Sequence, residues 1–233
     1  MFKTCSTVGL LALAGLMAPV ATPAPLAKKF FTKDFELSGL TFSSIGGNEY
    51  FRLDPGSFLI LEGEKQGVLE HLEITVLDEV RAIGGIDCRV IQEYETKDGE
   101  LVEISRNFFA LCNETKDVFY FGEEVDIYED GVIVSHDGAW EAFKDGAEPG
   151  IIMPGRILHG ARYHQEFAPG IAEDRAEVYE YPEKVRTAAG TFTGCVKMEE
   201  STPLEPDHFG YKTYAPGIGL VRDGLLKLIA YGG

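Results

Sequence analysis

From about residue 47 onward, apolar and polar positions alternate in short runs rich in Val, Ile, Phe and Tyr. A period of two is that of a strand with one face buried. The runs are punctuated by Asp-Gly pairs at 98–99, 130–131, 137–138, 145–146 and 223–224, and by Pro-Gly pairs at 55–56, 149–150, 154–155, 169–170 and 216–217. Asp and Gly accept the positive φ angles of tight hairpins, so turn pairs this regular join neighbouring antiparallel strands. Helical periodicity is missing outside the N-terminal apolar run. The pattern predicts an all-β fold, an antiparallel hairpin-built sheet closed into a barrel or a cupped half-barrel.

Strands are expected over Phe58–Glu62, Val68–Val80, Ile86–Thr96, Leu101–Cys112, Val118–Tyr128, Val132–Glu141, Ala161–Ala168, Ile171–Tyr181, Thr191–Met198, Phe209–Tyr214, Ile218–Val221 and Leu225–Ala230. Residues 144–159 read as an irregular apolar loop around Ile151, Ile152 and Met153, a lid or a plug for one end of the barrel. On Val68–Val80 the apolar set Val68, Leu72, Ile74, Val76 and Val80 opposes His71, Glu73 and Glu79, which places His71 toward solvent.

Two hairpins carry candidate chemistry. Between Ile86–Thr96 and Leu101–Cys112, a two-residue Asp98-Gly99 loop pairs Lys97 with Glu100. A three-residue loop with Gly99 as a bulge pairs Thr96 with Glu100 and brings the apolar rows of the two strands together, and is preferred. In that register Arg106 falls in the inward row with Val102, Ile104 and Phe108, near Gln92. An Arg there needs a core acid or a ligand anion. Cys88 and Cys112 are too far out of line for a disulfide in either register. In the second hairpin, a Pro169-Gly170 turn sets Glu166 against Glu173, His164 against Arg175 and Gln165 against Asp174. Tyr163, Gln165, Phe167 and Asp174 then share the buried face, and Asp174 becomes the leading candidate for a functional acid, because burial raises a carboxyl's pKa. Glu166, Glu173 and His164 share the other face, where like charges would accept a divalent cation such as calcium; no other cofactor is implied.

Composition adds compartment and exclusions. The chain has 233 residues, 45% of them hydrophobic, and a formal net charge of −17. Its size fits one β domain over residues 48–233, preceded by a lead-in segment over 25–47. Residues 1–24 read as a signal peptide: Lys3 precedes an apolar run from Val8 to Val20, and small residues at 21–27 offer a cleavage site. That run is shorter than the roughly 20 residues that span a bilayer, so no membrane span is expected. The acidic balance argues against nucleic acid or an anionic membrane as partner. Cys88, Cys112 and Cys195 have no Cys-x-x-Cys spacing, which removes zinc and thioredoxin-type chemistry. No G-x-S-x-G, H-E-x-x-H, P-loop or G-x-G-x-x-G is present.

Three motifs, W-E-x3-D-G-A-x-P-G-I-I-M-P from Trp140, Y-x-Q-E-F-x-P-G-x-A-E-D-x-A-E-V from Tyr163 and Y-A-P-G-I-G-L-V from Tyr214, resemble those of a family of exported bacterial β-rich proteins. The resemblance implies a secreted or periplasmic β domain and carries over no catalytic residue. The last motif is also similar to segments of lipocalin-like cup-shaped binding proteins, an architectural likeness. The leading expectation is a binding protein for an apolar or amphipathic small molecule. Gln92, Tyr94, Arg106, Phe108, Tyr163, Gln165, Phe167 and Asp174 would hold that ligand. The alternatives are an acid/base hydrolase or lyase using Asp174 with Tyr163 or His164, and a cation-binding structural protein using Glu166 and Glu173.

Overall fold

The computed structural model describes residues 29–233, so the expected signal peptide and its cleavage site lie outside the described residues. The strands are β1 (Phe42–Ser43), β2 (Phe58–Lys65), β3 (Val68–Ile83), β4 (Ile86–Lys97), β5 (Glu100–Cys112), β6 (Val118–Glu129), β7 (Val132–Ser135) and β8 (Trp140–Glu141). They continue with β9 (Glu148–Met153), β10 (Arg162–His164), β11 (Glu166–Phe167), β12 (Arg175–Thr187), β13 (Gly190–Ser201), β14 (Phe209–Ala215), β15 (Gly219–Asp223) and β16 (Leu226–Gly232). Among the described residues there is no helix, and hence none long and apolar enough to cross a membrane.

All the strands belong to one sheet, in the order β10-β12-β13-β14-β15-β16-β2-β3-β4-β5-β6-β9-β11, with β1, β7 and β8 attached at its side. The pairings are antiparallel. The two ends of this path are consecutive pieces of one stretch, Arg162–Phe167: β10 pairs with β12 and β11 pairs with β9. The sheet therefore curls almost shut, into a barrel with one unsealed seam at that stretch.

Local chemistry explains the close hairpins. The β4–β5 turn has Asp98 at φ 50° and Gly99 at φ 83°, the pair of left-handed residues of a two-residue type I′ loop. Lys97 pairs with Glu100, so the loop is the shorter of the two expected. The bulge falls one step later, between the pairs Thr96–Leu101 and Glu95–Glu103, where Val102 is the extra residue. Beyond it Tyr94 pairs with Ile104, Gln92 with Arg106 and Val90 with Phe108. The apolar rows of the two strands do meet, as the preferred register required, but by this different route.

The face they share is the outer one. Leu59, Ile74, Ile91, Glu93, Phe109, Lys212, Tyr214 and Tyr231, drawn from strands all around the sheet, line a single cavity. Only the inner face can bring them together. Val90, Phe108, Ala110 and Cys112 are buried on the opposite side, under a second apolar layer. Phe42 sets its ring edge-on against Phe119 and Phe121, at 5.6 and 5.5 Å, and Phe35 does the same with Phe119 at 5.8 Å. The segment before β2 thus covers one wall of the barrel, and Thr32 also runs parallel to Tyr163 beside β10. Inside, Leu61, Leu72 and Leu228 pack side by side across β2, β3 and β16.

The stretch read as a loop contains β9, which pairs with β6 on one side and β11 on the other. Its Pro149-Gly150 pair is not a turn. A Cβ on Gly150 would lie 2.4 Å from the His164 carbonyl oxygen and 2.5 Å from that of Gln165. Glycine is there because two backbones meet at the seam. The expected strand Val132–Glu141 is likewise divided, into β7 and β8.

Candidate functional site: an acidic lumen beneath an apolar cavity

One mouth of the barrel opens into a cavity of about 740 Å3, including the space that opens to solvent. Its walls are mostly apolar: Phe51, Phe58, Leu59, Ile74, Val76, Ile91, Phe109, Ile152, Ile218 and Leu220. Three charged side chains also line it, Arg52, Glu93 and Lys212, and Tyr214 stands beside the last of them. Arg52, at the same cavity, is held by Asp54 at 3.6 Å and the Gly233 carbonyl at 3.2 Å.

Beyond this floor the inner face is polar. On β4 and β5, Glu93 faces Ser105 and Glu95 faces Glu103. On β6, Glu123 faces Asn107. Across the barrel, Lys212 is paired in register with Asp223 and Met198, and Glu200 lies in the row Tyr163, Ala176, Glu200. Lys212 reaches the Glu200 carboxylate at 3.2 Å and that of Asp223 at 4.0 Å. Gln165 donates from Nε2 to Glu200 at 2.9 Å, and the Tyr120 hydroxyl donates to Asn107 Oδ1.

The acids respond to this enclosure. Burial pushes the Glu93 carboxyl up to about 8, with Lys212 opposing the rise and Glu123, Glu95 and Asp223 adding to it. Burial likewise takes Glu123 to about 7, with the neighbouring Tyr120 and Ser105 side chains opposing the rise. Glu166 goes well above the carboxylate range through burial and the neighbouring Asp174. Glu95, Glu103, Asp174 and Asp223 are raised for the same first reason. Lys212 is held firmly protonated, chiefly by Glu200. Three buried polar groups on this side of the sheet have no partner: the Ser57 hydroxyl, which lines the cavity, and two deeper ones. The Tyr163 hydroxyl, on a residue 5% exposed, and the indole N–H of Trp140, 7% exposed, make no hydrogen bond. Trp140 pairs with Glu123 and sets its ring edge-on to Tyr120 at 5.2 Å; Tyr120 in turn stacks on Phe109 of the cavity wall at 4.6 Å.

Of the residues expected to line the barrel, the structure brings Tyr163 and Gln165 to the inner face. Gln92, Tyr94, Arg106 and Phe108 point outward, where Arg106 pairs with Glu79 and Phe108 lies under Arg81. Phe167 also faces out, beneath the Lys33 ammonium at 3.5 Å. The second hairpin keeps the expected register from Arg162 to His164, with His164 opposite Arg175. At Gln165 the chain bends as it changes partner from β12 to β9, which breaks the alternation. Glu166 therefore turns inward beside Gln165, is 4% exposed and accepts the Asp174 N–H at 3.1 Å. The buried acid of this hairpin is Glu166. Asp174, expected on the buried face, is exposed. Glu173 is separate from Glu166 and caps the Gly170 N–H at 2.9 Å, so the expected acidic pair is not formed. His164 faces outward between Phe31 and Phe167, away from Tyr163. The three cysteines among the described residues, Cys88, Cys112 and Cys195, are buried free thiols.

The sequence reading missed Glu93, Glu123, Glu200, Lys212, Tyr214 and Asp223. The signal that could have found them is the second row of each strand. The run Ile91, Glu93, Glu95 and the run Glu103, Ser105, Asn107 are as regular as the apolar rows between them. No protein-family model, no curated protein and no solved structure matches this chain.

Proposed function

We propose that the protein is a secreted or periplasmic binding protein for an apolar or amphipathic small molecule, held in the barrel's lumen. The observation that carries the reading is the cavity itself. It is an apolar, concave space whose walls come from strands on all sides of one barrel, with a few polar groups converging at its floor. Small-molecule sites have this build: mostly apolar lining, and a small number of placed polar groups that fix orientation. The N-terminal pattern of residues 1–24 supports export.

The acid/base alternative has less support. His164 lies on the outer face, and Asp174, Tyr163 and His164 do not converge as an acid, a base and an orienting group would.

Ile74 sits between Leu59 and Glu93 in the wall, so a larger side chain there occupies the cavity. Ile74→Phe is expected to weaken binding of a neutral naphthalene dye at least tenfold, read by dye fluorescence, while the protein still melts cooperatively. Equal dye binding by the folded variant would remove the cavity as the site.

A further inference from the structure

The floor of the cavity bears on what kind of head group its occupant has. Two cations touch the space, and both are already matched. Arg52 is held by Asp54 and a backbone carbonyl, and Lys212 by Glu200 and Asp223. Glu93 is different. It reaches the same cavity from β4, and among the described residues its carboxylate has neither a hydrogen bond nor an ion pair. Its in-register neighbours offer no cation either, being Ile74 on β3 and Ser105 on β5.

A second, independent feature points to an absent partner. The Ser57 hydroxyl lines the same cavity, on a residue 6% exposed, and makes no hydrogen bond. Such a group is costly to leave unmade and is normally satisfied by protein, water or ligand. A hydroxyl oxygen can accept a hydrogen bond from an ammonium and donate its own proton to a neighbouring acceptor.

An anionic head placed at Lys212 would have to sit beside Glu200 and Asp223, the carboxylates that already match this lysine, and like charges at that range repel in an enclosed site. A cationic head meets the opposite: an unpaired carboxylate, an unpaired hydroxyl and an excess of acid around one lysine. Among the described residues no three His, Cys, Asp or Glu side chains converge as ligands for a metal ion, whereas the apolar walls fit a hydrocarbon tail. Resting on the small-molecule reading above, we infer that the occupant is an amphipathic organic cation, an alkyl or aryl chain ending in an amine-type group, seated with its head at Glu93 and its tail toward Phe51 and Ile218.

The test compares three probes with one tail, octylamine, octanoate and octanol, by calorimetric titration of the wild-type protein at a pH just above about 8, where Glu93 has given up its proton and the amine keeps its own. Octylamine is expected to bind at least tenfold more tightly than either of the others. Octanoate or octanol binding as tightly as the amine would overturn the charged-head inference and leave the binding-protein reading standing. No binding of any of the three would overturn both. Glu93→Gln adds a second reading on protein shown to be folded by its melting transition. It is expected to lower octylamine affinity at least tenfold and to leave octanol unchanged, and an equal loss for both probes would contradict a charge-specific role.

Discussion

At the scale of single residues, Glu93 shows most clearly how the barrel strains its acids. A carboxyl that ionises near 4.5 when unfolded keeps its proton up to about 8 inside the folded lumen. Between those values the folded chain binds more protons than the unfolded one, so stability must fall as pH rises through that window and level off above it. Glu123, raised to about 7, acts in the same direction. The acids held low by ion pairs, Glu141 and Glu177, lose their contribution only below about 4.5 and leave this window untouched. The melting temperature is therefore expected to drop between about pH 5 and about pH 8.5. Glu93→Gln should flatten that slope and melt higher at the alkaline end, by about 2–4 °C for each ~1 kcal/mol of relief. A melting temperature that rises with pH over the window, or a slope unchanged in the variant, would contradict the buried-acid account.

At the scale of elements, strand positions and turns were readable because they depend on local chemistry: alternation, and Asp-Gly pairs able to take positive φ. The register of Arg162 to His164 follows from those rules, whereas at Asp98-Gly99 the turn was placed but the shorter loop formed in place of the preferred bulged one. Facing was not readable, because the usual inference runs from apolar to inside. Here the row Val90, Phe108, Ala110 is buried on the outer wall beneath Phe35 and Phe42, and the row Glu93, Ser105, Asn107 lines the lumen. Arg106 was assigned inward by the company it keeps on its strand, and that whole row turned out to face the other way. Glu166 was missed for another reason. The bend at Gln165 depends on β9 lying alongside, a contact some fifteen residues away in sequence. The seam makes its own prediction. Gly150→Ala puts a Cβ against the His164 and Gln165 carbonyls and should cost about 1–3 kcal/mol, typical of forced overpacking, as measured by urea unfolding. An unperturbed midpoint would mean that β9 does not need so close an approach.

At the scale of the whole molecule, the barrel separates two tasks. The outer layer of Phe35, Phe42, Phe119 and Phe121 buries apolar surface that in a simpler barrel would fill the interior. The lumen is thereby left free to hold an apolar cavity above a floor of acids. Burying so many carboxyls around Lys212 works against folding, a cost that the proposed cationic occupant would offset. The sole tryptophan reports on that site. Trp140 touches Tyr120, and Tyr120 stacks on Phe109 of the cavity wall. The most direct test of the central claim is a titration of Trp140 emission with octylamine, in the wild-type protein and in Ile74→Phe. The account predicts a saturable one-to-one change in the wild type and its loss, or a shift of at least tenfold in the midpoint, in the folded variant. An emission that never changes, or a change that the filled cavity leaves intact, would contradict it.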